Sequence, residues 1–204
     1  MAHVKIAVIY YSAYGTNYQM AVEAEKAARE AGAEVRLRRV NELAPKEAIE
    51  SQAGWKNHVE ATKHIAVATL DDLDWADGFI FSVPTRFGNL AAQMKQFLDT
   101  AGPLWGQGKL ANKTVTAMSS AANPHGGQEA TILSLYTTMF HWGAIVVAPG
   151  YTDPSIYAAG GNPYGTSATQ GKEVSAEVLA AVRYQAQRLV ATTEKMVREV
   201  PRIA

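Results

Sequence analysis

The chain has 204 residues, of which 48% are hydrophobic, so it is long enough to bury a full core and is expected to form one domain over residues 1–204. Its 19 basic and 19 acidic residues balance, which leaves no net field to attract nucleic acid or an anionic membrane. Because cysteine is absent, disulfides, zinc-thiolate sites, iron–sulfur clusters and thiol redox catalysis are excluded, and any redox chemistry requires a bound cofactor.

The amino-terminal residues lead straight into an apolar segment that begins at Lys5. This leaves no room for the charged region, apolar core and cleavage site of a secretory signal peptide. No apolar run approaches the roughly 18 residues that a membrane helix needs. We therefore expect a cytoplasmic protein that has no contact with a membrane.

Short apolar segments alternate with longer segments of helical period along the chain. This alternation is typical of βα units around a parallel sheet and predicts an α/β fold. The predicted strands cover residues 5–11, 34–40, 78–83, 113–119 and 144–148. The second of them is more polar than the others and alternates, so it is predicted to lie at an edge of the sheet.

The predicted helices cover residues 18–31, 90–100, 128–142 and 175–197. The first places Met20 and several alanines on one face, and Gly32 follows where a glycine commonly ends a helix. The last has an apolar stripe that runs from Val178 to Val197. Ser175 is predicted to cap this last helix through its hydroxyl group.

Two stretches exceed the plan of a minimal five-stranded domain. They are residues 44–70 and residues 149–172, the second being rich in Gly, Pro, Tyr, Ser and Thr. Connections of this length in a compact domain are usually functional or interfacial. We therefore expect both stretches to contribute to the site or to assembly.

The first predicted strand runs into the first predicted helix through residues 11–17. Backbone N–H groups and the positive end of the helix dipole converge on such a turn, which predicts an anion site. Ser12, Thr16 and Asn17 add hydroxyl and amide donors, and Gly15 permits close approach of the backbone. The turn has no Lys or Arg and matches neither the GxxxxGK[ST] nor the GxGxxG pattern. A terminal phosphate monoester held by neutral donors fits it best, with a plain helix cap and tight turn as the alternative.

Four separated motifs extend this pattern along the chain. They are Tyr10-Tyr11-Ser12-x-Tyr14-Gly15, Pro84-Thr85-Arg86-Phe87-Gly88-Asn89, Gly126-Gly127-Gln128-Glu129 and Pro163-Tyr164-Gly165. In this order and spacing, the chain closely resembles the WrbA family of FMN-dependent NAD(P)H:quinone oxidoreductases over nearly its whole length. The resemblance implies a flavodoxin-like, doubly wound sheet of five parallel strands in the order 2-1-3-4-5. FMN would then lie beyond the carboxyl ends of these strands.

The resemblance also implies which residues bind FMN. Those expected around its phosphate are Ser12, Ala13, Tyr14, Gly15, Thr16 and Asn17. Those expected along the flavin ring are Pro84, Thr85, Arg86 and Phe87, of which Arg86 would also stabilise negative charge on the reduced ring. A third loop, expected to embrace the phosphate and pyrimidine sides, contributes Ser120, Ala121, Ala122, Asn123, His125, Gly126 and Gly127. This loop departs from the family, which more often has a run of glycines and threonines there, so the contacts of residues 121–125 stay open.

Three residues are expected by the same resemblance at the platform where nicotinamide and quinone bind. They are Tyr14, Trp105 and His141, the last also near the flavin. From the residues alone, His141 near a helix end suits a dipole partner equally well, and the two aromatic residues suit packing. The implied cycle is ping-pong in one pocket: NADH or NADPH delivers a hydride, leaves, and a quinone takes its place. Either His141 or water is expected to supply protons.

Members of this family are tetramers with active sites at subunit contacts, so a homotetramer is expected, and residues 157–169 are interpreted as part of its contacts. A flavodoxin-type one-electron carrier is the main alternative, although such carriers are usually shorter and strongly acidic. A non-catalytic interaction module is a second alternative. The sequence has no basic stripe for nucleic acid, no GxSxG turn of a serine hydrolase and no pattern of metal ligands.

Overall fold

The structure, a computed structural model, describes residues 3–169 and 173–200. Its strands in these ranges are β1 (Lys5–Tyr10), β2 (Glu34–Arg39), β3 (Gly78–Arg86), β4 (Asn89–Leu90), β5 (Thr114–Ala121), β6 (Ile145–Val146) and β7 (Ser167–Thr169). The sheet follows the order β2-β1-β3-β5-β6, and all neighbours on this path are parallel. This confirms the predicted order 2-1-3-4-5 of a flavodoxin-like sheet. The polar strand β2 ends this path, as predicted.

The fifth predicted strand is shorter than expected, because two short strands share its place. β6 pairs only with the first two residues of β5, whereas β7 pairs with residues 119–121 at the end of β5. The chain leaves the ladder after Val147, since the nearby Pro149 has no N–H to donate. Residues 157–169 were interpreted as part of an assembly contact. Their last three residues, β7, instead pair with β5 in the sheet of the same chain.

The helices of the described chain are α1 (Thr16–Glu30), α2 (Lys46–Glu50), α3 (Ala53–Ala61), α4 (Leu70–Trp75), α5 (Ala92–Asp99), α6 (Gly102–Gly106), α7 (Gln128–Trp142), α8 (Pro154–Ala158) and α9 (Ala176–Glu199). α1 and α9 pack on one face of the sheet, and α5 and α7 pack on the other. None of the helices in the described ranges is long and apolar enough to cross a membrane.

The four predicted helices are confirmed as α1, α5, α7 and α9. Gly32 follows α1 with a φ of 92°, and the Ser175 hydroxyl accepts a hydrogen bond from the backbone N–H of Val178 at the start of α9. The prediction that Val197 lies in the apolar stripe of α9 is wrong, since 46% of this residue is exposed. It lies near the end of α9, beyond the buried Thr193, the last residue of this helix that is buried.

The third predicted helix begins two residues later than expected. Asn89 and Leu90 pair with Arg86 and Thr85 as the short antiparallel strand β4, and α5 starts at Ala92. The first long stretch, residues 44–70, folds into α2 and α3 and reaches the start of α4. The second, residues 149–172, contains α8 and β7, and its residues 170–172 lie outside the described ranges.

Candidate functional site

Three turns meet at the carboxyl edge of the sheet, because β1, β3 and β5 are parallel neighbours and each ends there. In chain order they are residues 11–17 (the first turn), 84–89 (the second turn) and 120–127 (the third turn). Between the second and third turns lies a cleft of about 400 Å³. Its lining residues are Pro84, Thr85, Arg86, Phe87, Ser120, Ala121, Ala122, Asn123 and Gly126. All nine are among the residues predicted from the sequence, so the structure brings these two motifs together around one space.

The first turn has the local geometry of an anion site. Gly15 precedes α1 with a φ of 102°, and its backbone N–H donates to the Ser12 hydroxyl oxygen at 2.9 Å. The Thr16 hydroxyl oxygen is buried and has no hydrogen-bond partner within residues 3–169 and 173–200. Buried hydroxyl groups are normally paired, so an unpaired one at a helix N-terminus points to an acceptor supplied by a ligand. The residues of this turn therefore fit a phosphate group.

The side chain of Asn17 forms hydrogen bonds to two strands of the sheet. Its amide nitrogen donates to the Ser82 hydroxyl at 3.1 Å, and its amide oxygen accepts from the Ser120 hydroxyl at 2.5 Å. The side chain is thus buried and joins the first turn to β3 and β5. The amide group of Asn17 therefore holds the first turn against the ends of these two strands.

The second turn is a two-residue hairpin between β3 and β4. Phe87 and Gly88 have φ values of 52° and 79°, as the tight turns of β-hairpins require. Phenylalanine is unusual in this left-handed region, where a side chain costs roughly 1 kcal/mol. The Phe87 ring is also fully exposed, so neither local geometry nor packing within the chain accounts for this residue.

The third turn is held in shape by Gln128, which the sequence analysis did not place in the site. Its amide nitrogen donates to the Asn123 carbonyl oxygen at 2.9 Å, and its side-chain oxygen accepts from the Gly126 N–H at 3.0 Å. A Cβ on Gly126 would lie 2.9 Å from the Asn123 carbonyl oxygen, so only glycine fits. His125 is exposed at the tip of this loop.

The three predicted catalytic residues do not come together within one chain. Tyr14 lies at the carboxyl edge beside the first turn, and 46% of it is exposed. His141 lies at the far end of α7, where the following β6 pairs with the start of β5. At 1.5 Å per residue, α7 carries it about 20 Å from the third turn. The Trp105 indole N–H donates to the His141 carbonyl oxygen at 2.8 Å, so this pair shares the amino edge.

Helix α3 packs against the first turn. It belongs to the long stretch of residues 44–70, which we call the insertion. A Cβ on Gly54 would lie 3.3 Å from the Tyr14 ring, so this ring rests on the α3 backbone. The Trp55 ring lies 6.4 Å from the Tyr14 ring, measured between centroids. His58, one turn further along α3, lies against Gly15. Residues 44–70 were expected to be functional or interfacial, and these particular contacts were not predicted.

Glu42 anchors the insertion beside the site. Its carboxylate accepts hydrogen bonds from the Tyr11 hydroxyl at 2.8 Å, the Trp55 indole N–H at 3.1 Å and the Gln93 amide at 2.6 Å. Burial opposes ionisation of Glu42, but the N–H of Ala44 and the side chains of Gln93 and Tyr11 outweigh it and lower its pKa. Burial, and then the Glu42 charge, raises the pKa of Tyr11 above its usual value. The carboxylate therefore stays ionised and the phenol stays neutral.

The architecture defines the class of the protein. A parallel sheet in the order 2-1-3-4-5, with a glycine turn that leads into α1 at its switch point, is the arrangement of the flavodoxin-like fold. Among solved structures, a WrbA-like flavodoxin from Agrobacterium tumefaciens has a TM-score of 0.68 at 22% identity, over 94% of this chain and 98% of that one. A flavodoxin from the Archaea gives a TM-score of 0.62 at 15% identity, over 94% and 99%.

Sequence relatives define the family. Residues 4–154 match the family model of NADPH-dependent FMN reductases. A protein of Deinococcus radiodurans named NAD(P)H dehydrogenase (quinone) is 51% identical over 196 residues, which are 96% of this chain and 98% of that protein. One of the same name from Chelativorans sp. is 42% identical over 202 residues, or 95% and 99%. The chain therefore belongs to the NADPH-dependent FMN reductase family, which confirms the WrbA-type membership that the motifs predicted.

Proposed function

We propose that this protein is an FMN-dependent NAD(P)H:quinone oxidoreductase, with NADH or NADPH as the donor. The observation that carries the proposal is a cleft whose lining residue Ser120 is hydrogen-bonded to Asn17 of the first turn, where the buried Thr16 hydroxyl has no partner among the described residues. The names of the relatives, NAD(P)H dehydrogenase (quinone), support the same reaction. The absence of cysteine and the lack of a metal-ligand cluster among the described residues are compatible with a flavin as the redox group.

In this proposal each turn binds a different part of FMN. The phosphate accepts from backbone N–H groups of residues 12–17, apart from that of Gly15, which donates to Ser12, and from the Thr16 hydroxyl. The ring lies along residues 84–87, where Arg86 adds a positive charge and the exposed Phe87 gains a partner. Residues 120–127, except Pro124, close the other side, held by Gln128. FMN, when bound, supplies the hydride chemistry, and the protein orients the ring and excludes water from it.

The proposal extends to a homotetramer, because one chain does not complete the site. Trp105 and His141 lie at the amino edge of their own sheet, beside the exposed Phe140, of which 66% is accessible. Exposed aromatic residues of this kind are enriched at protein interfaces. We infer that Trp105 and His141 of a partner subunit border the flavin and Tyr14, where His141 or water delivers protons. Light scattering that finds a monomer at micromolar concentration would contradict this assembly.

Two smaller inferences accompany this function. A reaction that consumes NADH or NADPH is suited to the cytoplasm, where these nucleotides are kept reduced. The whole chain, residues 1–204, is proposed to act as one domain, because every strand of the described ranges belongs to a single sheet.

Replacement of Thr16 with valine is expected to weaken FMN binding without lowering the stability of the apoprotein. Valine removes the unpaired buried hydroxyl at nearly constant volume, so the free energy of unfolding of the apoprotein stays the same or rises by about 1 kcal/mol. The dissociation constant of FMN is expected to rise at least about 10-fold, because a hydrogen bond to a charged group is lost. Riboflavin, which has no phosphate, is expected to bind as before. Isothermal titration calorimetry measures both ligands.

Thr137 provides the control for this substitution. Its hydroxyl is exposed on α7 and donates to the Leu133 carbonyl oxygen, far from the first turn in the sequence. Thr137→Val is therefore expected to leave the FMN affinity unchanged. Equal loss of FMN and riboflavin affinity in Thr16→Val would place the phosphate elsewhere.

Steady-state kinetics test the catalytic cycle itself. If NADH and quinone use one pocket in turn, double-reciprocal plots against NADH at several quinone concentrations are expected to be parallel. Turnover is expected without a separate reductase, which a one-electron carrier would need. Intersecting lines would exclude the single-pocket cycle, and absence of turnover would favour the carrier.

A further inference from the structure

His58 lies against the first turn, and no hydrogen bond among the described residues accounts for its position there. A Cβ on Gly15 would lie 3.6 Å from its Nδ1 atom, and its ring centroid lies 5.5 Å from that of Tyr18. Neither ring nitrogen of this half-buried residue has a hydrogen-bond partner among the described residues, and burial alone lowers its pKa. A histidine in this position loses hydration and gains nothing in return from the protein.

A second cavity, of about 170 Å³, separates His58 from Ser12 of the turn. Tyr10 also lines this cavity, and its buried hydroxyl forms no hydrogen bond with the part of the chain that the structure describes. The ionisable side chains that face His58 or this cavity are Tyr10 from β1, Tyr11 from the first turn, Tyr18 from α1, Arg39 from β2, Glu42 from the following loop and Lys63 from beyond α3.

Lys63 of the cavity lining is ion-paired with Glu60, which leaves Arg39 and Glu42 as the other charged side chains around the cavity. Glu42 is the acidic residue of the lining, and its carboxylate is already occupied by Tyr11, Trp55, Gln93 and two backbone N–H groups. The Arg39 guanidinium donates to the Ile65 carbonyl oxygen, which is a neutral acceptor. The turn itself contains no basic residue, although a phosphate monoester is close to a dianion at neutral pH.

We propose that His58 is the cationic partner of the FMN phosphate, and that it takes a proton from solvent when the phosphate enters the turn. This inference rests on the proposed function, because it requires FMN in the first turn. It makes His58 a positioning residue for the cofactor: it acts on the phosphate and not on the reacting atoms of the ring.

The direction of the effect follows from electrostatics. In the apoprotein, burial lowers the pKa of His58, so the ring is neutral at pH 7. A dianion beside it favours the imidazolium form and raises its pKa, which couples binding to proton uptake. FMN affinity is therefore expected to fall as pH rises through the pKa of the bound state, about tenfold for each pKa unit of difference between the bound and free states. Riboflavin is expected to show no such dependence.

Calorimetric proton counting tests this inference on the full chain freed of flavin. Binding heats are measured at pH 7 in two buffers of different ionisation enthalpy, with FMN and with riboflavin, for the original chain, His58→Gln and His64→Gln. The original chain is expected to take up protons with FMN only. Binding of the dianion alone would release protons, since the second pKa of the phosphate is about 6.

The two variants show which residue takes up the proton when FMN binds. His58→Gln is expected to lose the uptake and to bind FMN about 10-fold more weakly at pH 6, yet like the original chain at pH 9, where the imidazole is neutral. His64, exposed on the same insertion, supplies the matched control and is expected to behave like the original chain. Unchanged riboflavin affinity in His58→Gln verifies that this variant is folded.

Two outcomes would overturn the inference about His58, and a third would also overturn the proposed function. If FMN binds without uptake by the original chain, or with equal uptake by His58→Gln, His58 is not the partner of the phosphate. If uptake also accompanies riboflavin, His58 responds to the ring and not to the phosphate. If the original chain binds neither ligand, the proposed function fails together with this inference.

Discussion

Replacement of Gly165 with alanine is expected to lower the free energy of unfolding by about 3 kcal/mol or more. A Cβ at this position would overlap the carbonyl oxygen of Ala117 and lie 3.1 Å from Cδ1 of Ile132. Ala117 cannot yield, because it lies in β5 between two layers of helices and its oxygen accepts from Gln185 at 2.8 Å. Overpacking a tight core typically costs 1–3 kcal/mol, and here the segment that carries β7 must also move.

The interactions lost with that segment add to the expected effect. The Tyr136 hydroxyl donates to the Tyr164 carbonyl oxygen at 2.7 Å, and the Gln185 side-chain oxygen accepts from the Thr166 N–H at 2.8 Å. Both bonds depend on the close approach that Gly165 permits. Urea denaturation of the apoprotein measures the change in stability.

Gly106→Ala is the control, since a Cβ on Gly106 meets nothing within 4 Å and its φ is not positive. This exposed substitution at the end of α6 is expected to change stability by less than about 0.5 kcal/mol. A Gly165→Ala protein as stable as the control would show that β7 does not dock on β5 as described.

Two inactive variants are expected to restore activity to each other when their chains assemble together. Ser12→Asp places a carboxylate in the phosphate turn, which the helix N-terminus tolerates and which repels the FMN phosphate. The second variant, Trp105→Ala with His141→Ala, keeps its FMN turn and loses the groups at the amino edge. Each variant alone is expected to lose at least about 100-fold in NADH:quinone activity, because cofactor or substrate positioning fails.

Mixed assemblies combine an intact FMN turn with an intact Trp105–His141 pair from another subunit. Co-refolding the two variants in equal amounts is expected to recover about one quarter of the original rate, because random assembly gives half of the flavin-bearing sites a competent partner. Mixing them without co-refolding supplies the control. A rate that never exceeds the sum of the separate variants would show that the pair does not serve a partner's site.

The order of the strands was predictable because each buried strand has a clear period and ends in a turn signal. The exceptions are elements too short to carry a period. β7 is the polar tripeptide Ser167–Thr169, and its place beside β5 depends on Gly165 and Gln185, which are remote from each other in sequence. β4 has only two residues, and its pairing is set by the hairpin at Phe87 and Gly88.

The turns of the site were predictable for a related reason: parallel strands bring their carboxyl ends to one edge. The separation of His141 from that edge could also have been inferred, since α7 must return the chain to the start of the next strand. The positions of Glu42 and His58 could not, because the insertion that carries His58 has no strand to fix its register. The hydrogen bonds of the Asn17 side chain could not be predicted either. A polar residue in such a turn suggests a ligand contact, and its partners Ser82 and Ser120 lie far from it in the sequence.

The central claim is that this chain binds FMN and passes electrons from a reduced nicotinamide to a quinone. The most direct test is the visible absorption spectrum of the protein after incubation with FMN and desalting, followed anaerobically by NADH and then by benzoquinone. We expect a flavin band that stays with the protein, bleaches with NADH and returns with quinone. A protein that retains no flavin would contradict the claim, and a bound flavin that NADH does not bleach would reduce it to an electron carrier.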